Sequence, residues 1–282
     1  MMQRTKTKTW AFLGGFAVLM LLFTFLDLPI SKALFDLSSP FGNLFAGLAE
    51  LPCTLVGVFS CAALAVTRPR ENKALAALNI AGFGVLMALF ALMAGVMPTG
   101  YLPLPKAFML TGVVYAAAAI LLAVKISKKQ AAALRRAAAL GLLLVLAAMI
   151  IVNIVKVFWG RPRMRSMTDP DSQFTLWFIP QGFTADDECK SFPSGHSANA
   201  ACILWITLLP TFLPRLRTNK AHIALYCVAF GWMALSMLSR VIMGAHFATD
   251  VTMGAAITVC CFYLLKRVFY SKEAVLFEPE KL

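Results

Sequence analysis

Charge is scarce in this chain, and acid is scarcer. Of 282 residues 14% are charged, 13 are Asp or Glu and 3 are His, while 60% are hydrophobic. Soluble domains carry about a quarter of their residues charged, so this composition, with a mean hydropathy of +0.77, excludes an ordinary soluble fold. Internal repeats and low-complexity linkers are absent, which excludes a string of modules. The 7 cysteines show no zinc-like spacing. Cys53, Cys61, Cys202, Cys227, Cys260 and Cys261 fall in apolar runs, where a free thiol acts as a small hydrophobe, and Cys189 stands alone in a polar segment. A disulfide framework is therefore excluded as well.

What is present is apolar sequence in long runs. Eight of them approach or reach the length needed to cross about 30 Å of hydrocarbon as helices: residues 10–28, 50–67, 75–97, 107–124, 137–156, 197–214, 221–239 and 247–266. The first follows basic residues, yet it is long and lacks a small-x-small cleavage site before Asp27, so it reads as a retained helix. The fold class expected is all-α: a polytopic membrane helix bundle, forming a single integral membrane domain over residues 1–282. Segment 29–49 is polar and apolar in turn and is expected as an interfacial helix.

The net charge of +13 is distributed along the chain in a way that argues for a membrane and against nucleic acid. If eight helices alternate, eighteen of the 26 basic residues fall on one side: Arg4, Lys6 and Lys8, then Arg68, Arg70 and Lys73, then Lys125, Lys128, Lys129, Arg135 and Arg136, then Arg215, Arg217 and Lys220, then Lys266, Arg267, Lys272 and Lys281. By the positive-inside rule both termini are then cytoplasmic. Lys32 and Lys106 are isolated, but Lys156, Arg161, Arg163, Arg165, Lys190 and Arg240 gather in the outer segments around the last four helices. Cations on the wrong side suggest an anion site on the exoplasmic, or periplasmic, face. The longest outer segment, 157–195, contains Trp159, Phe174, Trp177, Phe178 and Phe183 and is expected to cap that site.

Three stretches carry the chemistry: KVFWGRPR at 156–163, SFPSGHSAN at 191–199 and SRVIMGAHFATD at 239–250. Ionisable groups in an apolar chain need water or one another, and a functional site is the default suspicion. His246 and Asp250 stand four apart, so on one helix the carboxylate can bond one ring nitrogen and leave the other as nucleophile or base. Arg240, six residues earlier, offers a fork of donors for an oxyanion or phosphate. Pro193 and Gly195 make a tight turn that presents the Ser194 hydroxyl and backbone N–H groups at a helix start, with His196 as a second imidazole. Lys156, Arg161 and Arg163 supply further cations. Two imidazoles suit phosphomonoester cleavage through a covalent intermediate, one attacking phosphorus and the other protonating the leaving oxygen.

At these residues the chain resembles the type 2 phosphatidic acid phosphatase family, whose pattern is Lys-x6-Arg-Pro, then Pro-Ser-Gly-His, then Ser-Arg-x5-His-x3-Asp. Pro193, Ser194, Gly195 and His196 match the second part, and Ser239, Arg240, His246 and Asp250 the third. Lys156 and Arg163 match the first, with Met164 where proline is expected. The resemblance covers roughly residues 75–267. It implies a six-helix phosphatase core over 74–270, preceded by a two-helix N-terminal addition over 1–73 and followed by a cytoplasmic tail over 271–282. It implies His246 as the nucleophile, Asp250 as its orienter and His196 as general acid, then base. Lys156, Arg163, Ser194, Gly195 and Arg240 would cradle phosphate, with Arg161 accessory. It implies no metal and no other cofactor.

The ordinary readings of the remaining polar residues are structural. His222, Arg165 and Lys190 read as solvated, Asp186, Asp187 and Glu188 as loop solubility or as an offset to an empty cationic cradle, Asp27 and Glu50 as helix-end residues reaching the interface, and Trp159 as an interfacial anchor. The function expected is an integral-membrane, metal-independent lipid phosphatase of the bacterial cytoplasmic (inner) membrane, with no required protein partner. Its substrate would be a lipid phosphate or diphosphate held in the bilayer: phosphatidic acid, phosphatidylglycerol phosphate, undecaprenyl diphosphate or a lipid A phosphate. A lipid-to-lipid phosphotransferase using the same phosphohistidine, and a transporter of a phosphorylated solute, are the alternatives.

Overall fold

The computed structural model describes residues 2–68 and 72–270, and every regular element among them is helical. The tail expected over 271–282, with Lys272 and Lys281, and Arg70 lie outside the described residues. The order is α1 (Met2–Leu34), α2 (Pro40–Leu48), α3 (Leu51–Val66), α4 (Lys73–Val96), α5 (Thr111–Trp159), the short α6 (Pro170–Gln173), α7 (Gly195–Ala201), α8 (Leu209–Phe212), α9 (Asn219–Ile242) and α10 (Ala248–Tyr270). Several starts are capped by side chains, which satisfies N–H groups that a helix leaves open. Ser39 accepts from Gly42 N, Asn72 from Leu75 N, and Thr218 from Ala221 N.

Six described stretches are long and apolar enough to cross a membrane: Leu13–Leu34, Pro40–Val66, Lys73–Gly100, Lys106–Ser166, Asn219–Ile242 and Ala248–Tyr270. The protein is an all-α polytopic helix bundle. Within the fourth stretch the 49 residues of α5 would reach about 70 Å if straight, but the backbone leaves helical geometry at Gln130 (φ −137°, ψ 32°). The chain doubles back there. Tyr101, ahead of α5, and Lys156, near its end, both lie beside the start of α7. The runs 107–124 and 137–156 are therefore separate passes whose basic connector is helical.

Two expectations need correction. Run 197–214 is not one regular helix: α7 passes into a 3-10 segment, Cys202–Leu208, and then into α8. Segment 29–49 is not a single interfacial helix either, because α1 continues to Leu34 and Ser39 caps a separate α2, which packs on α9. The core lies between α3, the second half of α5, the α7–α8 rod and α10, filled by Val58, Cys61, Leu140, Leu144, Leu204, Phe212 and Phe262. Small residues let these helices approach closely, as membrane bundles require. Trp205 donates its indole N–H to the Ala137 carbonyl (2.8 Å) beside Gly141. All seven cysteines are free.

Candidate active site

The three sequence stretches meet at one end of the bundle. Gly160 takes a left-handed conformation (φ 69°), which ends α5 just after Lys156. Segment 160–194 then returns to the bundle on backbone hydrogen bonds, Gln181 N to Trp159 O, Arg163 N to Glu188 O and Ser191 N to Arg161 O. Trp159 is more than an interfacial anchor. Its N–H donates to Trp177 O (2.7 Å) and its ring packs on Phe192, with 4.8 Å between centroids. That stack holds the segment against the start of α7.

Ser194 caps α7. Its hydroxyl oxygen accepts from Ser197 N (3.3 Å) and Ser197 Oγ (3.0 Å), so its own proton remains to be donated. Its N–H is committed to Asp250 O (2.9 Å). Gly195 faces Lys156: a Cβ built on it would lie 3.7 Å from Lys156 Nζ. Arg240 is 1% exposed, with its guanidinium over the Tyr101 ring at 5.3 Å, and its Nε and Nη1 are buried without hydrogen-bond partners. Arg163 Nε is likewise buried and unpartnered. Its Nη1 lies 3.4 Å from Glu188 Oε1, an acid that also holds Arg165 at 2.5 Å. The hydrogen bond from Arg165 holds the Glu188 carboxyl below its usual range, so it stays an anion beside these arginines.

His246 is buried just before α10, and its backbone N–H donates to Arg240 O (3.2 Å), which closes the short turn expected between them. Its Nδ1 faces the Ser191 carbonyl at 2.6 Å. A carbonyl only accepts, so Nδ1 carries the proton and Nε2 the lone pair. Burial, then the charges of Lys156, Arg240 and Arg163, hold this imidazole well below its ordinary range. Asp250 does not bond His246, contrary to the i, i+4 expectation. The helix begins at Ala248, and Asp250 at its third position turns back to cap Phe247 N (2.8 Å). Its oxygens also accept from Ser191 Oγ (2.5 Å) and Arg161 Nη1 (2.5 Å). Asp250 thus reaches His246 through Ser191.

Arg161 is not an accessory phosphate ligand. It is 0% exposed, packs against both the Phe174 and Phe247 rings, and donates to Asp250, Thr249 Oγ1 (2.9 Å), Thr175 O (3.0 Å) and Asp27 Oδ2 (3.0 Å). Asp27 also accepts from Thr249 N (2.8 Å) and Thr249 Oγ1. An acid read as reaching the interface is instead buried beneath the site. Glu50 was misread in the same way. It lies between α2 and α3, accepts from Asn199 Nδ2 (2.8 Å), and stands 3.9 Å from His196 Nδ1. Tyr101 Oη lies 3.2 Å from His196 Nε2. Tyr101, Ser191 and Asn199 carried no signal in the sequence, but Asp27 and Glu50 did, as carboxylates bordering apolar runs.

Fold and site together define a membrane helix bundle with two imidazoles set among buried cations at one end. Residues 137–274 match the PAP2 superfamily model, and this part of the chain is a PAP2 superfamily domain. The chain is also similar to phosphatidylglycerophosphatase B of Bacillus subtilis (strain 168), 41% identical over 78 residues, which is 27% of this chain and 37% of that protein. No solved structure matches it.

Proposed function

We propose that the protein is an integral-membrane lipid phosphatase that cleaves a phosphate or diphosphate headgroup through a phosphohistidine. The observation that carries this reading is the set of buried, unpartnered guanidinium N–H groups of Arg240 and Arg163 beside His246. Buried polar groups without partners are rare, and N–H groups of this kind suit an anion. His246 Nε2 attacks phosphorus as the P–O bond to the lipid breaks, and His196 gives its proton to the leaving oxygen. His196 then takes a proton from water, whose oxygen attacks phosphorus, and the P–N bond breaks to release phosphate. Lys156, Arg163 and Arg240, with the Ser194 hydroxyl and the open backbone at Gly195, stabilise charge on the equatorial oxygens. Asp250 holds Ser191 and so the His246 tautomer. Neighbouring cations disfavour a metal at this position, and the chemistry asks for none. The basic residues away from the site support a cytoplasmic membrane location with the site on the exoplasmic side.

The test is phosphate release in EDTA by purified protein from lipid phosphates and diphosphates, with phosphatidylglycerol phosphate first because of the relative's name. His246→Ala is expected to abolish release. Full activity in that variant, or loss in EDTA alone, would remove the mechanism, and labelled phosphate appearing on a second lipid would make the protein a phosphotransferase.

A further inference from the structure

Both ring nitrogens of His196 meet residues that precede the PAP2 match. Nε2 faces Tyr101 Oη, with the rings edge to face and their centroids 5.7 Å apart. Nδ1 faces Glu50 Oε1, and the same oxygen is held by Asn199, one turn along α7 from His196. The other charged and titratable groups acting on this imidazole are Lys156 from α5, Arg163 and Arg165 from the returning segment, Arg240 from α9, and His246. Glu50 is the carboxylate within ion-pair distance of it.

Such a setting is wrong for an acid unless something offsets it. Burial first, and then four cations, oppose a second proton on His196, yet the proposed first step requires one. We propose that Glu50 is the positioning residue of His196: it fixes the ring with Nε2 toward the leaving oxygen and stabilises the doubly protonated form. This rests on the phosphohistidine reading. In the first step the Nε2 proton passes to the leaving oxygen as the P–O bond breaks, and Nδ1 keeps its proton toward Glu50. In the second, Nε2 recovers a proton from the attacking water, and the cation is restored beside the same carboxylate.

The experiment is the pH profile of kcat/KM for phosphate release from phosphatidic acid by the full chain, in wild type, Glu50→Asp, Glu50→Gln and His196→Ala. The basic limb reports the proton on His196. It is expected to fall by about 1 pH unit in Glu50→Gln, since one opposite charge is lost, and to lie between the two in Glu50→Asp. A merely structural role would lower the rate and leave the limb in place. If Glu50→Gln does not fold, a Glu50→Asp limb below that of wild type is still expected. An unmoved limb in any folded Glu50 variant overturns the proposal. If His196→Ala itself keeps wild-type rate and limb, the phosphohistidine reading fails first, which separates the two failures.

Discussion

Arg161→Leu tests the buried cluster that ties α1 to the site. The guanidinium is 0% exposed and pairs with Asp27 at 3.0 Å and Asp250 at 2.5 Å. Removing the shared partner of a buried ion pair costs about 3–5 kcal/mol, because a charge is left without compensation. Here two carboxylates are stranded. Each keeps donors, Thr249 for Asp27, and Ser191 and Phe247 for Asp250, and the same range is therefore used without doubling. At about 2 °C per kcal/mol for a chain of this size, the thermal midpoint in detergent should fall by about 6–10 °C. Asp27→Asn added to Arg161→Leu removes one stranded charge while keeping an acceptor for Thr249, so part of the loss should return. A drop under about 2 °C, or a double variant no more stable than the single, would refute the argument. Activity should fall in both, since Asp250 positions Ser191.

As the proposed nucleophile His246 must be neutral to attack, and its environment holds it well below the ordinary imidazole range, with burial first and then Lys156 and Arg240 as causes. The acid limb of kcat/KM is therefore expected below the ordinary value of about 6.5, and Lys156→Gln, which removes a positive neighbour, should move it up; a wild-type limb above 6.5 would contradict this. A Cβ on Gly254 would sit 2.2 Å from the Ser194 carbonyl, whereas one on Gly231 meets nothing within 4 Å. Gly254→Ala should then depress activity at least tenfold, on the order of the loss from misplacing a catalytic group, while Gly231→Ala should leave both activity and thermal midpoint near wild type.

The apolar runs made the bundle legible, because about twenty apolar residues have few other uses. The site was legible where charged or turn-forming residues cluster in short stretches, as at Lys156–Arg163, Pro193–His196 and Arg240–Asp250. The hydrogen bonds among them were not. Spacing of four residues predicts a shared helix face, but α10 starts two residues after His246, and the backbone carbonyl of Ser191 takes the ring nitrogen instead. No side-chain pattern announces a carbonyl partner. Likewise, the motif spacing sets Arg163 apart from Arg161, but only the packing of Phe174 and Phe247 shows that Arg161 is the buried one of the two.

Sequence distance hid the rest. Asp27 lies 134 residues from Arg161 and Glu50 lies 149 from Asn199, so neither forms a local motif. Yet a carboxylate beside apolar sequence is expensive unless it has a partner, and each of these has one in the site. The first two long helices are therefore more than an addition to a core. α3 lies inside the packed interior, the turn ahead of it holds Glu50, and α1, though largely exposed along its length, sends Asp27 to the buried Arg161 that Asp250 also uses. A truncation that kept only the PAP2 match would take away Asp27, one of the two carboxylates paired with Arg161, and the carboxylate beside His196, together with α3 from the packed interior.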